Sequence, residues 1–75
     1  MGSYVKRTIW IDGMSCEHCV QAVTEAMNGA GAEDVNVDLA GGWASFEYDE
    51  ELTSIECIKE AVEEQGFDVT NVSDD

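Results

Sequence analysis

The apolar residues of this chain switch back and forth between a period of two and a helical period, and the order of the switches leaves few folds open. In residues 4–12, Ile9 and Ile11 fall on the side opposite to Thr8 and Trp10. Such alternation is typical of a half-buried strand. We therefore predict a first strand over this segment.

A helix is predicted next, over residues 16–28. Ser15 is a favourable N-cap residue, and Gly29 supplies a stop signal. The apolar residues of this segment recur at helical spacing and form the expected buried stripe, which consists of Val20, Val23 and Met27.

Two further strands are predicted to form a hairpin. Residues 35–39 alternate cleanly between apolar and polar, and residues 43–48 are the segment with which they are expected to pair. Gly41 and Gly42 lie between the two segments, and a glycine pair is typical of a tight hairpin turn.

A second helix and a last strand complete the pattern. Thr53, with Glu56 three residues later, has the spacing of a capping box. The predicted helix ends before Gly66, and the last strand covers residues 67–72, followed by a polar tail at residues 73–75. The expected buried stripe of the second helix consists of Ile55, Ile58 and Val62.

The resulting order, β-α-β-β-α-β, predicts an α+β fold of the ferredoxin-like type, a sandwich with two helices on one face of a four-stranded antiparallel sheet. We expect one domain over residues 1–75, with a core at about residues 4–72. In this topology the end of the first strand, the glycine hairpin and the loop before Phe67 share one end of the sheet. Cys16 and Cys19 are expected at that same end.

The net charge of −14, with Lys6, Arg7 and Lys59 as the only lysines and arginines, excludes several partners. Nucleic acid and anionic membrane surfaces would both repel such a chain. The carboxylates are scattered, so we interpret them as the acidic surface of a globular domain, similar to proteins of organisms that keep molar salt in their cytoplasm. No apolar run suits a membrane span or a signal peptide, which leads us to expect a cytoplasmic protein without membrane insertion.

Cys16 and Cys19 form a C-x-x-C pair between the first strand and the first helix. Residues i and i+3 are helix neighbours, so both sulfurs can lie on one side. A helix N-terminus lowers a thiol pKa, whereas the charges of Asp12 and Glu17 raise it, and the sequence leaves that balance open.

Four chemistries fit such a pair. The cysteines could be small buried hydrophobes, although an exposed strand-to-helix loop is a poor place for them. A redox dithiol is the stronger rival, but the chain lacks proline and is short for a thioredoxin-like fold. A structural zinc site would need His18 and the distant Cys57 as further ligands. Two exposed thiolates suit Cu(I), a soft ion of low coordination number, and allow a partner's thiols to take it.

The segment Gly13-Met14-Ser15-Cys16-Glu17-His18-Cys19 resembles the G-M-x-C-x-x-C motif of heavy-metal-associated domains, and the element order with Gly66-Phe67 before the last strand is similar along nearly the whole chain. The resemblance implies a copper chaperone, or a detached relative of the metal-binding domains of P-type copper-transporting ATPases. Such a protein passes Cu(I) to another protein by thiol exchange.

By the same resemblance, Cys16 and Cys19 are the metal ligands, Met14 is a buried prop beneath the loop, and the ring of Phe67 shields the metal. Ser15 stands where an acidic residue is found in zinc-exporting members.

The implied partner is a P-type copper-transporting ATPase or a copper-responsive regulator. We expect a carrier rather than an enzyme, monomeric without metal, whose exposed dithiol permits copper to bridge two chains. The alternatives are a thiol redox protein and sequestration of mercury, zinc or cadmium.

Separate expectations apply to His18, which belongs to the shell of the predicted metal site, and to Cys57, Trp10 and Trp43 outside the motif. His18 is expected to face solvent and to tune the thiols rather than to bind metal. Cys57 lies off the buried stripe of the second helix and is expected to be part-exposed, without a metal role. Trp10 and Trp43 are expected to form a cross-strand pair on the open face of the sheet, with a docking patch as the less favoured reading.

Overall fold

The structure is a computed structural model that describes residues 3–73, and its elements follow the predicted order. The strands form one sheet in the order β2-β3-β1-β4, and every neighbouring pair is antiparallel. The ferredoxin-like α+β prediction is therefore confirmed. The bounds are β1 Tyr4–Asp12, α1 Glu17–Gly29, β2 Glu33–Asp38, β3 Trp43–Asp49, α2 Ile55–Glu64 and β4 Asp68–Ser73.

The core lies between one face of the sheet and the two helices, which also contact each other. Alternate residues of β1 and β3 point into it, because side chains two apart in a strand share a face. Each fully buried aliphatic or aromatic side chain contributes roughly 1.5–3 kcal/mol. The largest fully buried side chains are Ile9, Val23, Met27, Phe46, Ile58 and Val62.

The start of α1 differs from the prediction. Cys16, not Ser15, is the N-cap residue; its backbone is extended, and its side chain makes no capping hydrogen bond. The carbonyl of Cys16 instead accepts the first helical bond, from the N–H of Val20 at 3.3 Å. Met14 packs against the core, and this contact fixes the path of the loop before α1. The helix therefore begins one residue later than the sequence predicts.

The end of α1 also lies beyond the predicted stop. Gly29 belongs to the helix, and Ala30 is its C-cap. Gly31, at φ +103°, takes the left-handed conformation with which the chain leaves the helix. The N–H of Ala32 then donates to the carbonyl of Met27 at 2.9 Å, which satisfies a free carbonyl of the last turn.

The predicted capping box at the start of α2 is wrong. Ser54 is the N-cap, and its hydroxyl accepts the N–H of Cys57 at 3.3 Å. The hydroxyl of Thr53 donates instead to the carbonyl of Ala30 at 2.8 Å, so it joins the loop before α2 to the end of α1. The predicted stripe is confirmed, with Ile58 and Val62 buried and Ile55 packed beside them.

The hairpin between β2 and β3 turns at the predicted glycines. Gly42 has φ +70°, a conformation that favours glycine, and its N–H donates to the carbonyl of Asp38 at 2.9 Å. Leu39, predicted to end the strand, lies in the turn, and Phe67 likewise precedes β4 rather than starting it. Asp74 and Asp75 of the predicted tail lie outside the described residues.

Candidate metal centre

The two cysteines of the loop are brought together, as the spacing predicts. Their Sγ atoms lie 3.7 Å apart, Cys16 is exposed, Cys19 is half-buried, and both are free thiols. Cys16 occupies the N-cap of α1 and Cys19 the third helical position, so one turn of helix aligns the sulfurs. The pair therefore faces solvent from a rigid element.

Local hydrogen bonds favour the ionised form of one thiol. The backbone N–H of Ser15 lowers the pKa of Cys19, the side chain of Cys16 adds to this effect, and partial burial opposes it. The sequence left this balance open, and for Cys19 the donors at the helix N-terminus prevail. Thiolate is the form of cysteine that binds metal ions.

The loop is supported from below by residues that the resemblance singled out. Met14 and Phe67 are both half-buried and pack against the core. Gly13 has φ +104°, and a Cβ built on it would lie 3.4 Å from a ring carbon of Phe67. The N–H of Ile11 donates to the carbonyl of Gly42 at 2.7 Å, which places the hairpin at this end of the sheet, as predicted.

The sequence reasoning missed two contributions to this site. Ser15 is exposed and does not cap the helix; it lowers the pKa of Cys19, mainly through its backbone N–H and to a smaller extent through its side chain. Gly13 was identified only as part of the motif, although its left-handed backbone, at φ +104°, disfavours any residue with a side chain. A glycine directly after a strand was the available signal for a turn of this kind.

His18 and Cys57 stand apart from the dithiol. His18 is exposed and borders, with Cys16 and Glu17, a shallow open hollow of about 360 Å³. Cys57 is exposed near the start of α2. Within residues 3–73, no three or more His, Cys, Asp or Glu side chains are clustered so as to hold a metal. The zinc site that would need His18 and Cys57 as further ligands is therefore not formed within the described residues.

The fold and the site together define a small ferredoxin-like domain with an exposed dithiol at one end. No helix in residues 3–73 is long and apolar enough to cross a bilayer. The chain belongs to the heavy-metal-associated domain family, whose model matches residues 8–68. The resemblance drawn from the motif is thus confirmed.

Known relatives agree with this assignment. The chain is 41% identical over 66 residues to the copper chaperone CopZ of Staphylococcus haemolyticus strain JCSC1435, covering 87% of this chain and 97% of the relative. Among solved structures, a CopZ metallochaperone matches with a TM-score of 0.82 and 36% identity over 87% of this chain and 98% of its own. A copper binding domain from HMA7, a P-type ATPase, matches at 0.83 with 28% identity over 92% and 97%.

Proposed function

We propose that this chain is a copper chaperone that carries one Cu(I) ion between the Sγ atoms of Cys16 and Cys19. The observation that carries the proposal is the exposed sulfur pair at 3.7 Å on the N-terminal turn of α1. The family assignment and the names of the chaperone relatives support it. Thiolates are soft ligands that select Cu(I) over hard cations.

The spacing of the sulfurs fits one bound ion. A zinc–thiolate bond is about 2.3 Å long, so two sulfurs on one ion with bonds of that length lie roughly 3.8 Å apart at a tetrahedral angle and roughly 4.6 Å apart in a line. The observed 3.7 Å is close to the compact end of this range. A linear Cu(I) site needs the sulfurs to separate by less than about 1 Å, which rotation of the exposed Cys16 side chain can supply.

Exposure of the pair also suits release. A thiolate of the partner approaches on the side of Cys16, bonds to the ion, and takes the place of one of the chain's two sulfurs. The displaced thiolate accepts a proton from solvent, and copper keeps its oxidation state throughout. We assign the later departure to Cys19, because it is half-buried whereas Cys16 is exposed to the partner.

The proposed partner is a P-type copper-transporting ATPase or a copper-responsive regulator in the cytoplasm. The structural likeness to a copper binding domain of such an ATPase supports an exchange between similar sites. In this role the chain is a carrier and not an enzyme. It is monomeric without copper, and copper can bridge two chains through their exposed dithiols.

The competing class is a thiol redox protein, since sulfurs 3.7 Å apart could form a disulfide after a small movement. Two assays on the reduced chain separate the classes: Cu(I) uptake per chain under anaerobic conditions, and catalysis of insulin disulfide reduction. The proposal predicts uptake of one ion and insulin reduction no faster than with free dithiothreitol. Rapid insulin reduction without Cu(I) uptake would contradict it.

A further inference from the structure

The face of the sheet that the helices leave open carries a hollow between two tryptophans. Trp10 and Trp43 are directly opposite each other in the β1–β3 register, and both are half-buried. A hollow of about 260 Å³ lies beside them, and it is lined by Lys6, Thr8, Trp10, Trp43 and Ser45. Two indoles and the stem of a lysine give it apolar walls, and two hydroxyl groups are available to an occupant.

The position of Trp43 is determined by the turn beneath it. A Cβ built on Gly41 would lie within van der Waals overlap of the indole Nε1 of Trp43, so the ring rests against bare backbone. Asp38, opposite Trp43 in the β2–β3 register, accepts the N–H of Gly41 at 3.0 Å. The carboxylate and the indole are thus held by the same turn.

Three carboxylates lie on the same face of the sheet, next to the residues that line the hollow but not among them. Asp38 is opposite Trp43, Glu47 is opposite Lys6, and Glu33 is opposite Glu47. Core-facing residues flank Asp38 and Glu47 along their strands, which places these two carboxylates on the open face. A register shift in β2 brings Glu33 to the same face, where it accepts the hydroxyl of Tyr4 at 2.9 Å. One lysine among three carboxylates leaves this face acidic, in a chain whose net charge is −14.

We propose that this hollow receives an arginine side chain of a basic segment on a partner protein. A guanidinium is planar, stacks on indole faces, and pairs with carboxylates through a fork of N–H donors. The two indoles that line the hollow offer the stacking surface, and Asp38, which is opposite Trp43, offers the carboxylate. The inference does not depend on metal binding, because it uses none of the residues of the dithiol loop.

A second copy of this chain fits the hollow less well. Two such faces would bring six carboxylates together against two lysines, and both chains carry −14. Like charges across an interface oppose association. Salt would strengthen self-association by screening this repulsion, whereas salt weakens the attraction between an acidic face and an arginine. The sign of the salt dependence therefore separates the two occupants.

The test uses the reduced 75-residue chain and an acetylated, amidated pentapeptide with arginine at its centre and glycine and serine elsewhere. Binding is followed through the NMR signals of the two indole N–H groups. Peptides with lysine or the uncharged isostere citrulline at the centre are the matched probes. We expect the arginine peptide to bind most tightly and salt to weaken it.

Variants locate the site. Trp43→Leu should weaken binding about two- to fivefold, and Trp43→Phe, which keeps an aromatic wall, should weaken it less. Asp38→Asn keeps an acceptor for Gly41 but removes the charge, and it should weaken binding, whereas Glu63→Gln makes the same charge change on α2 and should not. Equal binding of the citrulline peptide, or equal effects of Asp38→Asn and Glu63→Gln, would overturn the proposal. If salt promoted dimers of the chain and Trp10→Leu abolished them, the proposal would be overturned and the occupant of the hollow would be a second copy of the chain.

Discussion

Cys19 is the single residue whose environment is most adjusted to its proposed chemistry. The N–H of Ser15 and the side chain of Cys16 lower its pKa, although the residue lies in a strongly acidic chain. The hydrogen bonds act at contact distance, whereas the scattered carboxylates act through solvent and are screened. Short-range donors therefore decide the state of this thiol.

We predict that the pKa of Cys19 in the folded chain is lower than the pKa of the same thiol in the unfolded chain. Because the folded pKa is lowered, the thiolate stabilises the fold above the pKa of the unfolded thiol, and this contribution is lost as the pH falls through the folded pKa. NMR titration of cysteine labelled at Cβ, in a Cys57→Ser background, resolves the two loop thiols. A pKa for Cys19 in the folded chain at or above that of the unfolded chain would contradict the account.

At this scale the sequence predicts the sulfur pair and misses the role of its neighbour. The i, i+3 spacing of Cys16 and Cys19 is local geometry, so the pattern alone brings the sulfurs together. The N–H direction of Ser15 depends on the path of the loop, which the packing of Met14 on the core fixes. A long-range contact of this kind has no signature in the spacing of residues.

The two helices differ in how their first turns are satisfied. α2 has a side-chain cap from Ser54, and α1 begins at Cys16 without one. The sequence predicted caps at Ser15 and Thr53 because both residue types are favourable there. Thr53 is used elsewhere, since its hydroxyl reaches the carbonyl of Ala30. Tertiary contacts thus override local capping preference at both helices.

Replacing Ser54 tests the cap of α2. We expect Ser54→Ala to lower the free energy of unfolding by about 0.5–2 kcal/mol, because the N–H of Cys57 loses its acceptor. Ser54→Asn keeps an acceptor and should remain close to the original stability. Urea unfolding followed by circular dichroism measures both. Equal stability of the alanine and asparagine variants would show that the hydroxyl does not cap the helix.

Replacing Gly29 and Gly41 with alanine should change the free energy of unfolding in opposite directions. A Cβ on Gly29 meets nothing within 4 Å, so Gly29→Ala should stabilise α1 by up to about 1 kcal/mol. A Cβ on Gly41 overlaps the indole of Trp43, so Gly41→Ala should displace that ring and lower stability. Urea unfolding and the indole N–H signal report these effects. An unchanged Trp43 signal in Gly41→Ala would contradict the described turn.

Element order was predictable, whereas element ends were not. Alternation and helical spacing extend over many residues, so single misplacements do not obscure them. Ends depend on a few backbone angles: the left-handed residue after α1 is Gly31, and the nearer Gly29 remains helical. Nothing in the local sequence distinguishes those two glycines as stops.

The whole molecule is dominated by its charge. A net charge of −14 on 75 residues destabilises the compact state through self-repulsion in dilute buffer. At about 1 M salt the Debye length is only ~3 Å, which screens that repulsion. The acidic surface is the sequence feature from which we inferred adaptation to a high-salt cytoplasm.

The melting temperature is therefore predicted to rise between dilute buffer and molar KCl. A variant with Glu60, Glu63 and Glu64 of α2 changed to glutamine carries less repulsion, so it should gain less from the same salt. Both are measured by thermal circular dichroism. A melting temperature that does not change with KCl, or an equal rise in the variant, would contradict the electrostatic explanation.

Cu(I) binding by the loop dithiol is the central claim, and competition against a colorimetric Cu(I) chelator tests it most directly. Under anaerobic, reducing conditions the chain should withdraw one Cu(I) from the chelator, and excess Zn(II) should not displace it. Cys16→Ser and Cys19→Ser should each lose the competition, while the matched Cys57→Ser should retain it. Retention of Cu(I) by either loop variant, or displacement of the ion by Zn(II), would contradict the account.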